Sequence, residues 1–152
     1  MSRNQVDFGN SIQSCAALES HLAGIRVLVI EDNALVREAM ECLLTSWGCQ
    51  ITLADGALMA CDKVRCEQAP DLILSDYQLN DGYDGINAIR LVRELVGSQI
   101  PACLLSADEN RNLWQQAEAV GACFLRKPVS PNRLRSVLLG LPSSNGHGAL
   151  RR

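Results

Sequence analysis

Hydrophobic positions along this chain follow two periods in turn. The run Ile25-Arg26-Val27-Leu28-Val29-Ile30 is short, β-branched and nearly all apolar, which predicts a strand covered on both faces. Apolar residues then recur at steps of three and four, at Val36, Met40, Leu43, Leu44 and Trp47. Asn33 is placed to cap the helix they predict, and Gly48 to stop it. The alternation returns with other residues. Gln50 to Ala54 reads as a strand, Ala57 to Cys66 as a helix, and D-L-I-L-S over 71–75, behind Pro70, as a third strand. A polar, glycine-bearing loop over 76–84 leads to a helix with Ile86, Ile89, Val92 and Leu95 on one face. Ala102 to Ser106 follows Pro101 as a fourth strand. Asp108 is read as the cap of a helix carrying Leu113, Ala117 and Val120, stopped by Gly121. Ala122 to Leu125 forms strand five, and Ser130-Pro131 opens a last helix with Leu134, Val137 and Leu138.

Five strands alternating with five helices predict an α/β domain, a doubly wound parallel sheet with helices on both faces and right-handed crossovers. The domain is expected over 25–141. Residues 1–24 read as a linker or short N-terminal helix, from a faint pattern in Ile12, Cys15, Leu18 and Leu22, and 142–152 as a disordered tail.

Composition narrows the class. With 152 residues, one domain is the expectation, and 47% hydrophobic and 20% charged residues are ordinary for a globular chain. A net charge of -3 argues against a nucleic-acid surface, which needs concentrated Lys and Arg. The chain has no run of about 18 apolar residues and no basic-then-apolar leader, so membrane contact and secretion are not expected. The seven cysteines, 15, 42, 49, 61, 66, 103 and 123, include no C-x-x-C pair. They read as small buried hydrophobes, suited to a reducing cytoplasm.

In a doubly wound sheet the functional crevice lies outside the carboxyl ends of the strands. Here strand one ends in Glu31-Asp32, strand three in Asp76, strand four in Ser106, and strand five leads to Lys127-Pro128. Three carboxylates at one sheet edge repel unless a cation neutralises them, so a metal is implied. The donors are hard oxygens without His or Cys, which favours Mg²⁺ (or Mn²⁺) over zinc. A central carboxylate with a Lys and a hydroxyl beside it suits phosphoryl transfer. Asp76 is the expected nucleophile, with Lys127 and Ser106 neutralising the phosphoryl oxygens.

The segments V-L-V-I-E-D-N, S-D-Y-Q-L-N-D-G-Y-D-G, L-L-S-A-D and F-L-R-K-P-V, in this order, resemble the receiver domain of two-component response regulators over about 25–141. The resemblance implies a flavodoxin-like receiver fold with strand order 2-1-3-4-5. It also implies that Asp76 accepts phosphate from a phosphohistidine on a histidine kinase or histidine phosphotransfer protein. Asp32 then holds Mg²⁺ directly, Glu31 through water, and Gln78 by its backbone carbonyl; Ser106 and Lys127 bind phosphoryl oxygens, and Lys127-Pro128 is expected cis. Ser106 and Phe124 fall at the switch positions, and the surface of helix four, strand five and helix five is where partner affinity, or dimerisation, is expected to change. Three departures stand out. Asn80 replaces a frequent Pro, and Gly85 comes one residue late, a spacing like that of receivers attached to hybrid histidine kinases. Phe124 lacks the hydroxyl of a Tyr, so a switch must work by packing.

Plainer readings compete. Glu31 and Asp32 could simply favour a helix N-terminus, Lys127 could be a solvated surface group, Ser106 could merely end its strand, and Phe124 could be core. Trp114 suits either a partner surface or packing; His21 and His147 are assigned no chemistry. Two functions of other classes are an aspartyl-nucleophile phosphatase, many of which carry a second Asp where this chain has Gln78, and a degenerate, binding-only receiver. A DNA-binding output within the chain is not expected, since no second domain is foreseen after 142.

Overall fold

Successive side chains of the first strand enter two different cores. In β1 (Arg26–Ile30), Leu28 and Ile30 join one buried cluster, and Val27 and Val29 join another on the opposite face, as the two-residue period of a strand requires. The protein is described by a computed structural model over residues 22–108 and 110–141. Residues 1–21 of the lead-in and the tail 142–152, with Cys15, His21 and His147, lie outside the described residues.

Asn33 caps α1 (Ala34–Ser46), its side chain accepting from the N–H groups of Leu35 and Val36, and Gly48 turns the chain away at φ +87°. There follow β2 (Gln50–Ala54), α2 (Ala57–Cys66), β3 (Leu72–Asp76), α3 (Gly85–Val96), β4 (Ala102–Ser106), α4 (Arg111–Ala119), β5 (Cys123–Arg126) and α5 (Pro131–Gly140). Ser130 caps α5 and Pro131 opens it, as expected. The strands are all parallel, in the order β2-β1-β3-β4-β5. Residues of α2, α3 and α4 cover one face and residues of α1 and α5 the other. Leu22, from the expected lead-in, is buried with Trp47 and Cys49.

The register sets the functional edge. Ile30 pairs with Ser75, Asp76 with Leu105, and Ser106 with Arg126. The residues after these pairs therefore emerge side by side along one rim.

Three expectations need correction. Leu95 is exposed, whereas Ile86, Ile89 and Val92 are buried. Three successive steps of three turn a helix by about half a revolution from its starting face, so the pattern overran the stripe. The cap of α4 is Asn110, which accepts from Asn112 N–H, and not Asp108; the Asp108 carboxylate accepts instead from Asn110 N–H, so a turn occupies the chain before the helix begins. Among the cysteines, Cys49, Cys61 and Cys103 are buried, but Cys42 and Cys66 are exposed on the outer faces of α1 and α2.

Candidate functional site

Glu31 follows β1 directly and is buried, its N–H donating to the Ala54 carbonyl. Asp32 is half-buried beside it, and Asp76 closes β3. One carboxylate oxygen from each of the three lies within 4.8 Å of the others. Asn33 already caps α1 and no acid stands in its first turn, so capping does not account for Glu31 and Asp32. The sequence pattern does not mark Arg37, yet its guanidinium donates to the Glu31 carbonyl at 2.8 Å and holds the β1–α1 turn. An Arg one turn into a helix gives no sign of this reach until the fold is known.

Lys127, beyond β5, extends its ammonium to 3.3 Å from Asp76 Oδ1 and 3.5 Å from Glu31 Oε2. The peptide bond Lys127-Pro128 is cis, as expected. Ser106 is buried at the end of β4; its hydroxyl oxygen accepts from Asp108 N–H at 3.0 Å, and its carbonyl accepts from Lys127 N–H. The Ser106 O–H is thus left to donate. Gln78 is exposed on the loop after β3, and the contacts that gather the acids do not include it. Phe124 is half-buried, paired with Leu104 in the register and packed against the cluster of α2, α3 and α4.

Two further residues shape the loop after β3. Gly85 N–H donates to the Tyr77 carbonyl, and a Cβ at Gly85 would overlap the Asp76 carbonyl oxygen and come 2.7 Å from Leu104 Cδ1. Only glycine lets α3 approach the backbone of Asp76 this closely. The buried Ser75 hydroxyl donates to the Asp76 carbonyl.

The electrostatics are unbalanced. Burial, and then the charge of Asp76, push the Glu31 carboxyl up from 4.5 to about 7, with Lys127 opposing. Three carboxylates facing one ammonium leave two negative charges uncompensated at full ionisation. A hard divalent cation fits that deficit and the all-oxygen donor set. A cavity of ≈ 20 Å³, room for about one water, lies against Glu31, Asp76, Lys127, Val36 and Met40.

A family model described as response regulator receiver domain matches residues 27–139. The chain is 32% identical over 129 residues to the phosphate regulon transcriptional regulatory protein PhoB of Pseudomonas aeruginosa, covering 84% of this chain and 56% of that one. It is 30% identical over 115 residues to the transcriptional regulatory protein ZraR of Klebsiella oxytoca, covering 75% of this chain and 25% of the relative. The chain therefore spans between a quarter and just over half of these relatives. Among solved structures, the chemotaxis protein CheY4 of Vibrio cholerae superposes with a TM-score of 0.69 at 25% identity, covering 76% of this chain and 97% of that one.

Proposed function

This chain belongs to the response regulator receiver domain family, and we propose that it is a phosphoacceptor in a two-component phosphorelay, Asp76 taking a phosphoryl group from a phosphohistidine on a histidine kinase or histidine phosphotransfer protein. As a receiver domain it is a signalling module rather than a classical enzyme. One observation carries the reading: the oxygens of Glu31, Asp32 and Asp76 gather within 4.8 Å, with the Lys127 ammonium 3.3 Å from Asp76.

In the proposed step an Asp76 carboxylate oxygen forms a bond to phosphorus as the phosphorus–nitrogen bond of the donor breaks. The electron pair stays on the imidazole nitrogen, which takes a proton, and the product is an aspartyl phosphate. Charge on the equatorial phosphoryl oxygens is met by the Lys127 ammonium and by the O–H of Ser106. Mg²⁺ (or Mn²⁺), when bound, would supply the remaining neutralisation, held by Asp32 and Asp76, by Glu31 through water and by the Gln78 backbone carbonyl.

Drawing the Ser106 hydroxyl toward a phosphoryl oxygen takes it from Asp108 N–H and loosens the β4–α4 turn. Phe124, on the neighbouring strand, follows by packing alone. The α4, β5 and α5 surface, where Trp114 is exposed, then changes its affinity for a partner or for a second copy, a shift between two packed states. The loop spacing around Gly85 supports a hybrid histidine kinase as the setting of the domain, and a phosphohistidine donor supports a cytoplasmic one. No helix among the described residues is long and apolar enough to cross a membrane.

Incubation with Mg²⁺ and acetyl phosphate tests the reading by intact mass. One phosphoryl group per chain is expected, lost in EDTA and absent in Asp76→Asn; uptake by that variant overturns the site. Failure of the wild type to bind Mg²⁺ at millimolar concentration would favour the degenerate, binding-only receiver.

A further inference from the structure

The loop after Asp76 is fixed at both ends. Tyr77 N–H donates to the Leu105 carbonyl at 2.8 Å, and the Asp84 side chain caps α3 by accepting from Asn87 N–H at 2.8 Å. Gln78, Leu79 and Asn80 lie between. Among the described residues, the side-chain hydrogen bond that ties the middle of this loop to another element comes from Asp81. Its Oδ2 accepts from Leu58 N–H, in the first turn of α2, at 2.9 Å.

The other side of this contact is built to receive it. Gly56, the N-cap of α2, makes no side-chain cap bond, and the first turn of α2 carries no acid. A free N–H group and the positive end of the helix dipole therefore face outward, and the Asp81 carboxylate meets both. Space is reserved as well. A Cβ at Gly56 would lie 2.6 Å from Asp81 Oδ2 and 2.8 Å from Asp81 Cγ. Gly56 is extended, at φ -173°, so its dihedrals suit any residue. The missing side chain is what matters there.

We propose that Asp81 is a positioning residue for the phosphoacceptor loop: by capping α2 from outside, it fixes Gln78 to Asn80 and so holds the Gln78 backbone carbonyl in place for Mg²⁺. The inference rests on the function proposed above and extends it to a residue outside the acid cluster. Asp81 touches neither metal nor phosphoryl group; it acts through the loop.

Three variants of the full chain separate this role from plain helix capping. Asp81→Ala removes the acceptor, Asp81→Asn keeps an acceptor oxygen without the charge, and Gly56→Ala displaces the carboxylate while leaving Asp81 in the sequence. Mg²⁺ affinity is read from amide shifts in an NMR titration, the phosphorylation rate from acetyl phosphate at saturating Mg²⁺, and thermal unfolding in EDTA. Asp81→Ala and Gly56→Ala should each weaken Mg²⁺ binding by about tenfold, the low end for loss of an outer-shell partner. Asp81→Asn should recover most of the affinity, the rate at saturating Mg²⁺ should not change, and the double variant should bind no more weakly than the worse single. Wild-type Mg²⁺ affinity in Asp81→Ala, with only its melting temperature lowered, overturns the proposal; so does a double variant whose losses multiply. If Asp81→Ala does not fold, Gly56→Ala and Asp81→Asn decide by the same comparison. A wild type that binds no Mg²⁺ overturns the reading of the acid cluster itself, before any variant is compared.

Discussion

Lys127 Nζ stands 3.3 Å from Asp76 Oδ1, nearer than to Glu31 Oε2 at 3.5 Å, so the lone ammonium of the rim is centred on the residue at the end of β3. The pair is part-buried, with Asp76 only 12% exposed, so the ammonium offsets the charge of the acids around it, and in the proposed function it also meets that of an incoming anion. In EDTA, Lys127→Ala should lower the melting temperature, because the part-buried carboxylates lose their counter-charge. It should slow acetyl-phosphate-dependent phosphorylation by about tenfold to a hundredfold, as loss of one electrostatic donor does. A wild-type rate would remove Lys127 from the site.

Glu31 makes the metal-free domain sensitive to pH. Its folded pKa of about 7 lies above the ordinary 4.5 because burial, and then Asp76, oppose its charge. Below 4.5 both folded and unfolded chains keep the proton, and this group is neutral to stability. Between 4.5 and 7 the unfolded chain releases it first, so stability falls as pH rises, and above 7 the full penalty, on the order of 3 kcal/mol, is present. In EDTA, Glu31→Gln should therefore be more stable than wild type at pH 8 and gain nothing at pH 4, measured by urea unfolding. Equal gains at both pH values would contradict the assignment.

Gly85 fixes where the backbone of Asp76 can lie. Gly85→Ala must push α3 off the Asp76 carbonyl and off Leu104, at about 1 to 3 kcal/mol for overpacking. Phosphorylation should fall even at temperatures where the variant is fully folded, because the nucleophile moves with its backbone. Alanine tolerated without either effect would mean that α3 yields freely.

Arg93 makes a prediction about stability alone. It is buried in α3, its Nε donating to the Ile100 carbonyl at 2.9 Å and its Nη1 to the Val120 carbonyl at the end of α4. Lysine offers no fork to reach both. Arg93→Ala should cost about 3 kcal/mol through two unpaired carbonyls and lost packing, and Arg93→Lys more than half of that, by urea unfolding. A neutral Arg93→Lys would show that one bond suffices.

The strand ends were legible because each apolar run terminates abruptly, so Glu31, Asp76, Ser106 and Lys127 follow from counting, and parallel register aligns them. Caps written in local chemistry, Asn33 and Ser130, were equally plain. Leu95 escapes the pattern because the step of three persists in sequence beyond the face it describes. Arg37, Asp81 and Arg93 carried no local signal: each bonds a backbone group on another element or turn, and Asp81 reaches across 23 positions to Leu58. Such contacts exist only once the sheet has ordered its neighbours. Thiols favour interiors, which predicts Cys42 and Cys66 buried, yet their helices turn them outward.

The central claim is that Asp76 itself accepts the phosphoryl group. Borohydride reduction of the protein after treatment with Mg²⁺ and acetyl phosphate converts an aspartyl phosphate to homoserine, which peptide mass spectrometry locates. Homoserine at position 76 and at no other carboxylate is the predicted result; homoserine at Glu31, Asp32 or another acid, with Asp76 intact, would contradict it.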